Sequence, residues 1–122
     1  MKLENKKAEA FFQNWKKKDW RKMHVACQIT WKDGEGNTAE ALEAMFGKTD
    51  LLQFKVSEEI LTSSNSGLLV RLPTSIVTKN ILGKVQTKVG FVTLVREIGV
   101  RTPSKKGTWG VNPISALRGV EQ

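Results

Sequence analysis

Tyrosine is absent from the 122 residues, cysteine and histidine occur once each, and aspartate occurs only at Asp19, Asp33 and Asp50. Each gap excludes some chemistry. A lone Cys27 cannot close an internal disulfide, and with the lone His24 it cannot assemble a thiolate or imidazole zinc site. No metal site and no cofactor is therefore expected. Without tyrosine, no phenol is at hand as an acid or donor in an apolar pocket. The aspartates fall where helix caps and loops are expected. No apolar run approaches the roughly 20 residues that cross a bilayer, and the stretch from Met1 to Lys7 is charged where a secretory leader would be apolar. If the chain is complete, a cytoplasmic protein with no membrane partner is expected. Asp33-Gly34-Glu35-Gly36 links two helical segments and lacks the lysine and hydroxyl of a phosphate-cradling loop.

What is present is positive charge and aromatic bulk. Twenty Lys and Arg against 12 Asp and Glu give a net charge of +8. Lys2, Lys6, Lys7, Lys16, Lys17, Lys18, Arg21 and Lys22 crowd the first 22 residues. Such charge invites a nucleic-acid partner, although no exposed aromatics are interleaved with these cations as single-strand binders require. The four Trp and five Phe can fill a core, and a chain this long forms one domain burying roughly 65% of its unfolded surface.

The hydrophobic rhythm changes near residue 50. Ala8, Phe11, Phe12 and Trp15 recur at helical spacing and predict a first helix from about Glu4 to Lys18. Asp19 can cap a second helix carrying Trp20, Met23, His24, Cys27 and Trp31 on one face. Asp33 to Asn37 reads as a loop. A third helix follows with Asn37 or Thr38 as its cap, Ala39, Leu42, Met45 and Phe46 inside, and Gly47 as its stop. From Leu51 the period is two. Leu52, Phe54, Val56 and Ile60 share a strand face, with Glu59 on the other; Thr62 to Gly67 turns the chain. A second strand runs from about Leu68 to Thr78, where Pro73 suggests an edge or a bulge. A long third strand spans about Lys84 to Ile98, with Gly90 as a point where it can bend. A solvated loop from Arg101 to Gly107 leads to a closing strand at Trp109. Long strands joined by short loops make a meander that must twist and coil.

Three stretches carry a resemblance: Ala8-Glu9-Ala10-Phe11-Phe12-Gln13-Asn14-Trp15, then Lys18-Asp19-Trp20-Arg21-Lys22-Met23, and finally Trp109 to Leu117. With the order of elements, they resemble the nuclear transport factor 2-like (cystatin-like) superfamily across nearly the whole chain. The resemblance implies a single α+β domain over 1–122, with helices at about 4–47 packed in the concave face of a strongly curved antiparallel sheet at about 51–118. It implies a cone with a cavity between sheet and helices, and often a homodimer through the sheet. It does not extend to the catalytic residues of that superfamily's isomerases and dehydratases, which place Asp, His or Tyr in the cavity.

The residues expected to line such a cavity are Trp15, Trp20, His24 and Phe54, with Glu58, Phe91 and Trp109. Strict alternation from Phe54 and Val56 points Glu58 inward, where burial raises a carboxyl pKa and suits it to acid–base work; a bulge at Ser57 to Glu59 would instead turn it to water. His24 can exchange protons near neutral pH or serve as a hydrogen-bonded structural residue. Arg71 and Arg96 can hold an anionic ligand or pair across strands. The mixed face of the third strand, Lys88, Val92, Leu94 and Arg96, has the composition of a partner surface. Three functions follow in order of preference. The first is a non-enzymatic domain binding a protein partner or a small apolar or anionic ligand as a homodimer. The second is an isomerase- or dehydratase-type enzyme using Glu58 and His24. The third is a basic accessory protein meeting nucleic acid through Lys16-Lys17-Lys18 and Arg21-Lys22.

Overall fold

The computed structural model describes residues 2–58, 60, 62–64 and 67–118, the segment 62–64 as backbone only. Glu59, and Asn65 and Ser66 of the expected turn, lie outside the described residues.

Helix α1 spans Leu3–Lys17, and the aromatic stripe explains its placement: Ala8, Phe11, Phe12 and Trp15 are at most 3% exposed. It ends where Lys18 turns left-handed, its N–H reaching back to the carbonyls of Asn14 and Trp15. Asp19 then caps α2, Trp20–Val25, by accepting the Lys22 N–H at 3.2 Å.

The second helix is shorter than its apolar stripe predicts. Ala26 still caps the helix, and from there to Gln28 the chain pairs with the last strand. The Val111 N–H donates to the Ala26 carbonyl at 2.8 Å, and the Gln28 N–H donates to the Val111 carbonyl at 2.9 Å. A tertiary β-bridge therefore replaces two turns of helix, and Trp31 sits on a separate short helix α3, Ile29–Lys32. Thr38, not Asn37, caps α4, Ala39–Phe46, because the Asn37 amide is engaged with the Trp31 carbonyl.

The sheet comprises β1 (Asp50–Val56), β2 (Thr62–Ser64), β3 (Leu69–Lys79), β4 (Val85–Gly99), β5 (Thr102–Pro103) and β6 (Thr108–Val111). All pairings are antiparallel, in the order β1-β3-β4-β5, with β2 also on β3 and β6 also on β4. Pro73 is flanked on both sides, yet it removes no ladder bond. It falls between the end of β1 at Thr74 and the start of β2 at Arg71, and its carbonyl accepts the Ser57 N–H. A bulge between Leu51 and Gln53 turns Leu51 inward and leaves Leu52 37% exposed, reversing the expected face for Leu52. The chain after Val111 does not continue as strand. Asn112 accepts the Ile114 N–H, Pro113 occupies the first turn, and α5 runs Pro113–Leu117. Proline suits that position because its missing N–H would have no helical partner there.

The result is the expected α+β architecture: helices lie in the concave face of a strongly curled antiparallel sheet. Leu72, Ile76, Val92, Leu94 and Val111 form the inner wall, each at most 1% exposed, and α1 lies against β1, β6 and β4. Among the described residues no helix is long and apolar enough to cross a membrane.

Candidate functional site

The interior of the cone is filled by side chains. Phe11 stands edge-on to Phe12 and Phe46, with centroids 5.4 and 5.9 Å away, and Trp15 meets Phe46 at 4.8 Å. Met23, Leu42 and the inner wall close the remaining space at 0–1% exposure. Trp15 is fixed further by donating its indole N–H to the Thr49 carbonyl at 3.0 Å. A gap of about 60 Å³ remains beside Trp15, Phe46, Thr78 and Lys88. Ligand pockets run from about 300 Å³ upward, so this gap holds a water or two and no substrate.

The residues expected in one cavity are accordingly dispersed. Trp15 is core, and Phe54 stacks on Phe12 at 5.8 Å, half-buried at the rim. Trp20 lines a surface groove with Lys17, Lys18, Arg21, Glu40 and Glu43. Phe91 faces the opposite side of the sheet, where the Arg71 guanidinium lies 3.3 Å over its ring. Trp109 lines a groove outside the core, beside α1.

Glu58 follows the end of β1 and is exposed, as a turn after Val56 would place it. His24 is half-buried on α2, donates Nε2–H to the Asn37 carbonyl at 2.9 Å, and meets Trp31 edge-on. No bond joins the two, so the geometry brings together no acid–base pair at these positions. His24 ties α2 to the loop before α4. Cys27 is buried, and burial pushes its thiol from 9.0 up to about 12, with Lys32 opposing slightly. Such a thiol is not a nucleophile at neutral pH. Among the described residues no group of three potential metal ligands converges.

The face of β4 expected to meet a partner points inward instead. Val92 and Leu94 are fully buried, and Lys88 lines the small core-side gap. The inner face mixes Gln86, Lys88 and Arg96 with Val92 and Leu94 while the outer face has no charge, so alternation alone favours the wrong face as the inner one. The outer face carries Val85, Thr87, Val89, Phe91, Thr93 and Val95, with Val85 55% and Val89 63% exposed.

Two polar positions were not singled out by sequence. Glu97, 2% exposed, accepts the backbone N–H and the hydroxyl of Thr30, and that hydroxyl accepts the Arg101 N–H at 2.7 Å. This bonding docks α3 onto the end of β4. Asn5, fully buried, donates its amide to the Ser57 carbonyl at 2.7 Å and ties α1 to the end of β1. Asn5 sits on a polar stretch and Glu97 next to a charged neighbour on a strand, so only long-range contact reveals them.

The basic cluster is partly neutralised within the chain. Lys18 pairs with Asp50 at 2.9 Å, Lys22 approaches Asp19 at 3.9 Å, and Glu40 and Glu43 share the groove with Lys17 and Arg21. The Lys18 hydrogen bond and charge hold the Asp50 carboxyl below its ordinary range.

The class defined by this geometry is a curled-sheet α+β domain whose interior is core. No family model matches the sequence, and no curated protein matches it. Among solved structures the chain is similar to an LEH-like epoxide hydrolase from M. tuberculosis, at 16% identity over 97% of this chain and 89% of that one, with a TM-score of 0.48. Epoxide hydrolysis is that protein's activity.

Proposed function

We propose that the chain is a non-catalytic interaction domain that acts as a homodimer, joined through the outer face of β3 and β4. The observation that carries this reading is the exposed apolar stripe of β4. From Val85 to Val95 its outward side chains are valine, threonine and phenylalanine; Val85, Thr87 and Val89 are exposed, and the rest are half-buried, with Arg71 of β3 over Phe91. Large exposed apolar patches on small domains mark interaction surfaces. The packed interior supports the non-catalytic part, because the cone offers no volume to a substrate.

A second copy fits this face better than an acidic protein does. The cations of the outer surface, Lys55, Arg71 and Lys79, all lie on β1 and β3. A two-fold axis beside β4 sets stripe against stripe, with Lys55 two strands away on β1 and with Lys79 and Arg71 flanking the stripe on β3, where Arg71 lies over Phe91. An isologous contact needs only one self-complementary patch, and two sheets pack well face to face at about 10 Å.

The test is the mass in solution of Val89→Glu against the parent, by light scattering at matched concentration. The reading expects a dimeric parent and a monomeric, folded variant. A monomeric parent, or a variant as dimeric as the parent, rejects it.

A further inference from the structure

A groove of about 370 Å³ runs between the outer side of α1 and β6. Leu3, Lys6, Lys7 and Ala10 form one wall, and Arg96, Gly107, Thr108 and Trp109 form the other. Its volume lies within the range of small-molecule sites. Its chemistry is one-sided: three cations line it and no carboxylate does.

Arg96 is the informative residue. It is half-buried on the inner face of β4, directly across the ladder from Trp109. Its Nε–H donates to the Gly107 carbonyl at 2.9 Å, which fixes the plane of the guanidinium. That bond leaves the two terminal nitrogens, and among the described residues no carboxylate lies in ion-pair reach of them. Half-buried guanidinium groups usually find an anion, and a planar fork of two N–H donors matches a carboxylate. The indole N–H of Trp109 also has no acceptor among the described residues, while its ring and Leu3 offer apolar area beside the fork. Lys7, half-buried one turn along α1 from Leu3, adds a second positive charge.

We propose that this groove binds a small aromatic carboxylate: the acid is held end-on by Arg96 with support from Lys7, and the ring lies against Trp109 and Leu3. The site is on the helix side of the sheet and independent of the outer face, so either proposal can fail alone.

The probe is 2-naphthoate, with 2-naphthamide as its neutral isostere. Binding is read by titration calorimetry at low salt and by the Trp109 indole N–H resonance, assigned by its loss in Trp109→Phe. The expected result is binding of the acid at least tenfold tighter than the amide, a shift of the Trp109 resonance, and at least tenfold weaker binding in Arg96→Gln. Equal binding of acid and amide, an unmoved Trp109 resonance, or no binding at millimolar probe overturns the proposal. Should Arg96→Gln lose its fold, Ala10→Glu places a carboxylate in the groove from the exposed side of α1. It is expected to abolish binding of the acid, and unchanged binding in that variant equally overturns the proposal.

Discussion

At the scale of single residues, function-like chemistry turns into structural work once the partners are visible. His24 spends Nε2 on the Asn37 carbonyl. Glu58 stands in solvent beyond β1. Cys27 shows the same contrast: helical spacing marked it as a small core residue, and it is buried, though in a bridge to Val111 and not on a helix. Its raised pKa has a measurable consequence. In the native protein at pH 8 a disulfide reagent such as dithionitrobenzoate should react only at the rate of unfolding, and at once in denaturant. Reaction at the rate of a free thiol in the native state would refute the burial. The pH dependence has a definite sign. Because the folded thiol holds its proton more tightly than the unfolded one, this contribution is complete below pH 9.0 and is lost as pH rises towards about 12.

Elements were legible where periodicity and caps agree. The α1 stripe, the Asp19 cap and the long strand at Val85–Gly99 follow from neighbours a few positions apart. Elements were misjudged where distant backbone decides. The stripe from Trp20 to Trp31 has helical spacing, but the edge of β6 offers Ala26 and Gln28 hydrogen bonds that end the helix. Gly110 makes that docking possible: a Cβ there would overlap the Gln28 Cα and come within 2.6 Å of its nitrogen. Gly110→Ala must therefore part the 26–28 segment from β6. We expect a loss of about 3 kcal/mol, the upper end of the cost of overpacking, read as a lower urea midpoint with unchanged slope. A loss below about 0.5 kcal/mol, typical of a surface change, would mean the segment moves aside freely.

For the whole molecule, charge and shape act together. Two copies at +8 each repel, and salt screens that repulsion. If the outer face dimerises, the dimer should tighten as sodium chloride rises from about 0.02 to roughly 0.3 M, over which the Debye length shortens from about 20 Å to about 6 Å. Sedimentation equilibrium measures this directly. A nucleic-acid complex would behave oppositely, weakening steeply with salt as the release of counterions becomes less favourable. A dimer that dissociates with added salt would place charges, not the valine stripe, at the contact.

By itself the sequence determined the fold class and the order of most elements. Helical and two-residue periods, caps and turns depend on contacts within a few residues, and those are written in order along the chain. Tertiary structure alone decided which face of β4 turned inward. Val92 and Leu94 compete there with Val89 and Phe91 on the other face of the strand, and the first pair packs in the core with the aromatic stripe of α1. The same choice filled the cone, scattered the residues expected to line it, and set Arg96 beside Trp109 in a groove. Such juxtapositions arise from packing between elements far apart in the chain, which no local pattern encodes.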